Sequence, residues 1–227
     1  MADVFNAPET VRAAVVDGRS FPVHRIYCVG RNYAEHVAEM GGDAERDPPL
    51  FFSKPADALV GNDSDIPYPP RSENFHHEVE LVVALGSGGC NLSLEQAQTS
   101  VFGYAVGNDL TRRDLQGLAK SGGQPWDVAK GFDFSAPMSA LTPVQHAPAM
   151  NSGEIYLKVN GEIRQQGDLS QLIWSVPEMV AELSTLFTLQ AGDLIFTGTP
   201  AGVGPLQIGD QIEAGIAGLE TLRHRIV

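Results

Sequence analysis

The run Phe75-His76-His77-Glu78-Val79-Glu80-Leu81-Val82-Val83 sets two carboxylates two residues apart inside an apolar stretch. Successive side chains of a strand alternate faces, so Glu78 and Glu80 point the same way while Val79, Leu81 and Val83 take the opposite face. Two carboxylates side by side repel unless a cation or a proton lies between them. The competing reading is the solvated face of an edge strand. Val82 and Ala84 continue the carboxylate face, however, so it is not simply polar. Asp109 is the natural third ligand, at the end of a strand-like run that starts at Gly103, where the backbone would turn into a helix. Asp109 or Thr111 would equally suit an N-cap for that helix. Three carboxylate oxygens without cysteine or paired histidine favour a hard ion over zinc: Mg2+ or Mn2+, with Ca2+ also admissible. Such an ion keeps about three positions for water or a chelating substrate.

His36 and Glu39 stand three residues apart on a short helix after Gly30-Arg31-Asn32-Tyr33, and residues at that spacing share one face. A carboxylate beside an imidazole fixes its tautomer and raises its basicity, as a general base for water requires. A surface ion pair is the plainer alternative. His76 and His77 face opposite ways, so only one can join Glu78. Parity favours His76, placed behind the ligands rather than among them. The chain has only 15 Lys and Arg in all, so their positions inform. Lys54 follows Leu50-Phe51-Phe52-Ser53, Arg112 and Arg113 follow Asp109, and Lys130 lies in Trp126-Asp127-Val128-Ala129-Lys130-Gly131. The glycine-rich loop from Thr197 to Gly204 lacks the Gly-Lys-Ser/Thr ending of a phosphate loop. It suits backbone N–H groups presented to a carboxylate.

The elements that must position these groups are mostly strands. Apolar runs predict strands over 26–30, 50–53, 79–85, 102–106, 194–197, 211–214 and 221–227, and Asn160-Gly161 predicts a hairpin turn between 155–159 and 162–165. Helices are expected over about 33–40 and 112–120, and one more opens at Ser93 with Gln96. The best helix is capped by Ser175 with Pro177 and Glu178, and Val176, Met179, Val180, Leu183, Leu186 and Phe187 follow its 3.6-residue period. The fold class is therefore mainly β with short helices, an α+β chain, with a lead-in over 1–20 and one domain over 21–227. A length of 227 residues supports one sizeable core. A formal net charge of −13 argues against nucleic acid as a partner. Two distant cysteines, Cys28 and Cys90, make neither a disulfide framework nor a zinc spacing. The first ten residues show no secretory pattern, and no apolar run approaches the roughly 20 residues of a membrane span, so the cytoplasm is the expected location.

Five motifs in this order resemble the fumarylacetoacetate hydrolase family: Gly30-Arg31-Asn32-Tyr33-Ala34-Glu35-His36, Leu50-Phe51-Phe52-Ser53-Lys54-Pro55, His76-His77-Glu78-Val79-Glu80-Leu81, Asn108-Asp109-Leu110-Thr111-Arg112-Arg113-Asp114-Leu115-Gln116, and Phe196-Thr197-Gly198-Thr199-Pro200-Ala201-Gly202-Val203-Gly204. The likeness runs from about Phe21 to the C-terminus. Within the family, the runs 126–134 and 197–206 are most similar to the bacterial enzymes that hydrolyse fumarylpyruvate in gentisate-type aromatic catabolism. The resemblance implies a mixed β-roll around a central metal cleft. By motif position it implies Glu78, Glu80 and Asp109 as ligands of Mg2+ or Mn2+. His36 and Glu39 become a water-activating dyad, and Lys130 a cation that steadies negative charge on the substrate. Arg113, Gln116 and Thr199 become substrate contacts, and Lys54 and Arg31 are further candidates within the same motifs.

The implied reaction is hydrolysis of a carbon–carbon bond in a small anionic 2,4-dioxo acid, most specifically fumarylpyruvate to fumarate and pyruvate. An acylpyruvase or oxaloacetate decarboxylase activity at the same site is the alternative, and a non-catalytic, metal-stabilised binding module a remote one. A dianionic substrate needs a cation for its distal carboxylate inside an acidic protein, and Arg31, Lys54, Arg112 and Arg113 are the bases at hand. Short members of the family are dimeric, so a homodimer is expected.

Overall fold

The computed structural model describes residues 4–35 and 48–227. Its centre is a six-stranded sheet in the order Thr142–Pro143, Val101–Asn108, Val79–Leu85, Leu194–Phe196, Ile26–Gly30, Leu50–Lys54. Neighbours run antiparallel except Leu194–Phe196 with Ile26–Gly30, which are parallel. A five-stranded sheet runs Glu162–Asp168, Glu154–Val159, Gln211–Ile216, Leu222–Ile226, Ser64–Ile66. Few helices accompany them: Leu94–Ser100, Arg113–Ser121, Asp127–Lys130 and Val176–Leu186. The mainly β, α+β expectation therefore holds.

Every residue of Val79–Leu85 is buried, so this is an interior strand and not a solvated edge. Its odd-numbered side chains, Val79, Leu81, Val83 and Leu85, pack in one core with Ile155, Leu157, Ile212 and Leu222 of the five-stranded sheet. Its even-numbered Val82 and Ala84 pack in a second core with Ile26, Cys28, Leu194 and Phe196, closed by Ala13, Val15 and Phe21 of the N-terminal hairpin. A strand apolar on both faces reads as a continuous apolar run rather than an alternation. Glu80 belongs by parity to the second face, at the end where that core stops.

The expected elements recur with small shifts. The helix expected over 33–40 begins at Ala34, and its remainder, with His36 and Glu39, lies outside the described residues. Ser93 and Gln96 form a reciprocal capping box, as do Ser175 and Glu178. Asn160 and Gly161 take positive φ values of 54° and 84° at the hairpin turn. Leu186 and Phe187 depart from the expected apolar face, since they are 61% and 43% exposed where the helix ends. The three-stranded ribbon Thr111–Arg112, Phe75–His77, Gly204–Pro205 has no counterpart in the sequence reading, because strands of two or three residues carry no periodicity.

Gly107 lies directly opposite Glu80 in the ladder. A Cβ there would come within 2.5 Å of both Phe196 Cε1 and Val82 Cγ2. The missing side chain lets neighbouring strands close up beneath the carboxylates. Gly107→Ala is expected to destabilise the protein by about 1–3 kcal/mol, the usual scale for overpacking. The check is a lower urea midpoint at unchanged m-value; a wild-type midpoint would refute this packing.

Candidate metal and substrate site

The strand pair brings the acidic triad together at a break. Phe75–His77 belongs to the small ribbon and Val79–Leu85 to the large sheet, with Glu78 at the junction. There the Glu78 N–H donates to the Asn108 side-chain oxygen at 2.8 Å, and the Val79 N–H to Gln165 Oε1 at 3.0 Å. Asp109 N–H donates to the Glu78 carbonyl at 2.8 Å, which sets Asp109 beside Glu78. Carboxylate oxygens of Glu78, Glu80 and Asp109 all lie within 4.8 Å of one another, and all three residues are buried. The alternative role for Asp109 falls away. The helix Arg113–Ser121 has Arg112 at its N-cap without a side-chain cap bond. Thr111 donates to the Asp109 carbonyl at 2.9 Å.

Buried carboxylates need opposite charge or ligands. Lys130, fully buried, donates to Glu78 Oε2 at 2.7 Å, Asp109 Oδ2 at 2.5 Å and Thr111 Oγ1 at 2.7 Å. Its N–H groups thus all face protein oxygens. Burial works against the ammonium, but Asp109 and Glu78 outweigh it and hold the Lys130 pKa above its ordinary value. Lys54 pairs with Asp109 Oδ1 at 2.8 Å and donates to the carbonyls of Leu110, at 3.1 Å, and Lys130. Arg113 pairs with Glu78 and donates to Gln116 Oε1 at 2.6 Å. Glu80 differs. It accepts the Gly198 N–H at 2.8 Å, and no cation among the described residues pairs with it. Burial first, then the charges of Asp109 and Glu78, push its carboxyl well above the ordinary range. An all-oxygen donor set in which one carboxyl has no basic partner among the described residues fits a hard divalent cation held by Glu78, Glu80 and Asp109.

Lys54, Lys130 and Arg113 thus touch the triad, Gln116 meets Arg113, and Thr199 follows Gly198, whose N–H meets Glu80. His76 stands behind Arg113. Its Nδ1 accepts from Arg113 Nε at 3.3 Å, and its Nε2 donates to Asn74 Oδ1 at 2.8 Å. Burial, then Arg113, lowers the His76 pKa to about 4, so it is a neutral prop for the arginine near pH 7. Arg112 turns away, with its guanidinium 4.4 Å from the Phe132 ring centre and Nη1 on the Val128 carbonyl at 3.1 Å. Arg31 is exposed and takes a positive φ of 63°. His36 and Glu39 lie outside the described residues.

Sequence reasoning missed Gln165. This buried amide accepts from the Val79 N–H at 3.0 Å and meets His77 Nδ1 at 2.8 Å. It also donates to Thr199 Oγ1 at 2.8 Å and to the Pro200 carbonyl at 2.9 Å. It clamps the kinked strand that carries Glu78 and Glu80 to the glycine-rich loop. Its partners are 34 to 88 residues away in sequence, so no local pattern marks it. Asn32 is a second case. Its side chain donates to the Thr197 carbonyl at 2.8 Å and accepts the Trp174 N–H at 2.8 Å, tying the Gly30-Arg31 turn to the same loop.

Gln165→Leu leaves buried polar groups unpaired on both elements. It is expected to cost about 1–3 kcal/mol in stability and to weaken Mn2+ binding, because the ligand strand loses its brace. A urea titration and a Mn2+ titration check this; unchanged Mn2+ affinity would show that Gln165 does not hold the ligands.

Residues 25–227 match the model of the fumarylacetoacetate (FAA) hydrolase C-terminal family. The fumarylpyruvate hydrolase of Pseudomonas aeruginosa, solved with Mn2+ and pyruvate, is 48% identical with a TM-score of 0.97, covering 100% of this chain and 99% of that one. Mitochondrial oxaloacetate tautomerase FAHD1 of Mus musculus is 45% identical over 201 residues, 88% of this chain and 90% of that protein. Mitochondrial oxaloacetate decarboxylase of Dictyostelium discoideum is 41% identical over 198 residues, 87% and 90% of the two chains. With five motifs in order, the matched fold and the assembled acidic triad, the chain belongs to the fumarylacetoacetate hydrolase family.

Proposed function

We propose that the protein hydrolyses fumarylpyruvate to fumarate and pyruvate. The observation that carries this reading is the buried triad with its three basic neighbours, in a fold that matches a Mn2+- and pyruvate-bound fumarylpyruvate hydrolase over the full chain. When bound at Glu78, Glu80 and Asp109, the divalent ion would supply Lewis-acid polarisation of the pyruvoyl oxygens. His36, paired with Glu39 in the sequence reading, would take one proton from water while the water oxygen forms a bond to the 4-keto carbon. The C3–C4 bond then breaks, its electron pair passes to the pyruvate fragment, and a proton returns to C3. Lys130 steadies the negative charge of the centre. Thr199 Oγ1 already accepts from Gln165, so its own hydrogen is directed to another acceptor, a substrate oxygen. Arg113 is held in register by His76 and Gln116.

The similarity to oxaloacetate tautomerases and a decarboxylase supports a second reading, oxaloacetate chemistry at the same site. Neither reaction needs an attacking water. The deciding experiment compares fumarylpyruvate, acetylpyruvate and oxaloacetate with Mg2+ or Mn2+, in wild type and His36→Ala. Wild type is expected to favour fumarylpyruvate over acetylpyruvate by about tenfold or more in kcat/KM, roughly 1.4 kcal/mol. His36→Ala should lower hydrolysis about 10²–10⁴-fold while keeping the metal. Preferential turnover of oxaloacetate that survives His36→Ala would replace the hydrolase reading, and full activity after exhaustive chelation would remove the metal.

We also propose a homodimer, as for the short members of the family. Light scattering at micromolar concentration should return twice the chain mass, and a monomer mass would refute it. No helix among the described residues is long and apolar enough to cross a membrane; the cytoplasm is the proposed location.

A further inference from the structure

The distal carboxylate of a dianionic dioxo acid needs a cation that the triad has not already engaged. Lys54, Lys130 and Arg113 are engaged there, and Arg112 is turned onto Phe132. The helix Arg113–Ser121 carries one more base. Lys120 follows Arg113 by seven residues and Gln116 by four, so the three share one helix face. Seven residues of helix span about 10 Å. Such a separation suits the two ends of an extended dioxo diacid.

A floor of aromatic rings joins the two ends. Lys130 Nζ is 5.0 Å from the Phe52 ring centre, the Phe52 and Trp126 rings are 5.8 Å apart, and Lys120 Nζ is 5.2 Å from the Trp126 ring centre. The Trp126 ring also comes within 3.7 Å of where a Gly30 Cβ would stand, which sets it against the strand end that leads into Arg31. Arg31 itself is held at a φ of 63°, a conformation that non-glycine residues rarely adopt. Burial, then the positive charges of Arg113 and Arg31, lowers the Lys120 pKa. Bases are thus gathered against their mutual repulsion, as an anion-binding site requires.

We propose that Lys120, with the Trp126 ring beneath it, forms the subsite for the distal carboxylate of a dianionic 2,4-dioxo acid. The planar acyl chain would lie over Phe52 and Trp126. The subsite rests on the hydrolase reading for its substrate, but its own binding test does not need turnover. In the Mn2+-loaded protein, calorimetry measures the affinity of fumarate and of pyruvate for wild type, Lys120→Met and Lys120→Arg. Lys120→Met is expected to weaken fumarate at least fivefold more than pyruvate, and Lys120→Arg to restore most of the loss. In parallel, the ratio of kcat/KM for fumarylpyruvate to that for acetylpyruvate should fall about tenfold in Lys120→Met. Fumarate affinity that is unchanged in Lys120→Met, or lost to the same extent as pyruvate affinity, overturns the subsite. A wild type that turns over both dioxo acids equally overturns the substrate assignment instead, and fumarate binding still decides the subsite.

Discussion

Three carboxylates buried side by side are the constraint on which the rest depends. Each charge taken out of water costs several kcal/mol unless it is paired or ligated. Lys130 and Lys54 answer Asp109, and Lys130 and Arg113 answer Glu78. The formal charge of the three acids and these three bases sums to zero, and a divalent ion at Glu80 would make the cluster positive. A protein of net charge −13 can in this way offer an electropositive cleft to an anionic acid. The bases come from three separate places: the end of Leu50–Lys54, the start of Arg113–Ser121 and the short helix Asp127–Lys130. Each of these elements is anchored by what its base touches.

Side-chain amides do the work that a regular ladder cannot. Where the ligand strand crosses from one sheet to another, two backbone N–H groups would lack partners, and Asn108 and Gln165 supply them. Asn108 is oriented in turn by His224, whose Nε2 accepts from Asn108 Nδ2 at 3.0 Å. Burial lowers the His224 pKa to about 3, so the ring stays neutral and remains an acceptor. The turn of Asn108 then fixes its oxygen on Glu78. The chain of bonds from His224 through Asn108 to Glu78 links the five-stranded sheet to the acidic triad.

Much of this was legible in the sequence where the signal is local. The continuous apolar run of 79–85, the capping pairs Ser93/Gln96 and Ser175/Glu178, and Asn160-Gly161 each carry a short-range physical signature, and each recurs in the structure. Glu78 and Glu80 were legible as a pair because like charges side by side need a cation or a proton between them, and Asp109 because it closes a strand-like run. Gln165 and Asn108, and the place of Lys120 over Trp126, were not legible, for a common reason. Their roles depend on partners that only the fold brings near, and an amide or a lysine in a polar stretch looks the same whether it faces solvent or a cleft. Arg112 shows the converse. It ends the ribbon strand with extended backbone while Arg113 opens the helix, so the two side chains diverge and only Arg113 meets Glu78.

The division between interior and rim has a consequence for how such a site diversifies. Glu80 and Asp109 lie on or directly after interior strands, and Glu78 sits where two sheets meet. A change at Lys130 would uncover two buried carboxylates at once, whereas Lys120 stands exposed over one ring at the end of a helix. Substitution at the rim would therefore leave the charges that hold the centre undisturbed. Relatives between 41% and 48% identical carry the names of a hydrolase, a tautomerase and a decarboxylase. Under the proposed reading, that spread is what a charge-locked centre with a replaceable rim would permit: the centre would hold an oxygen-bound cation, and the periphery would select the acid.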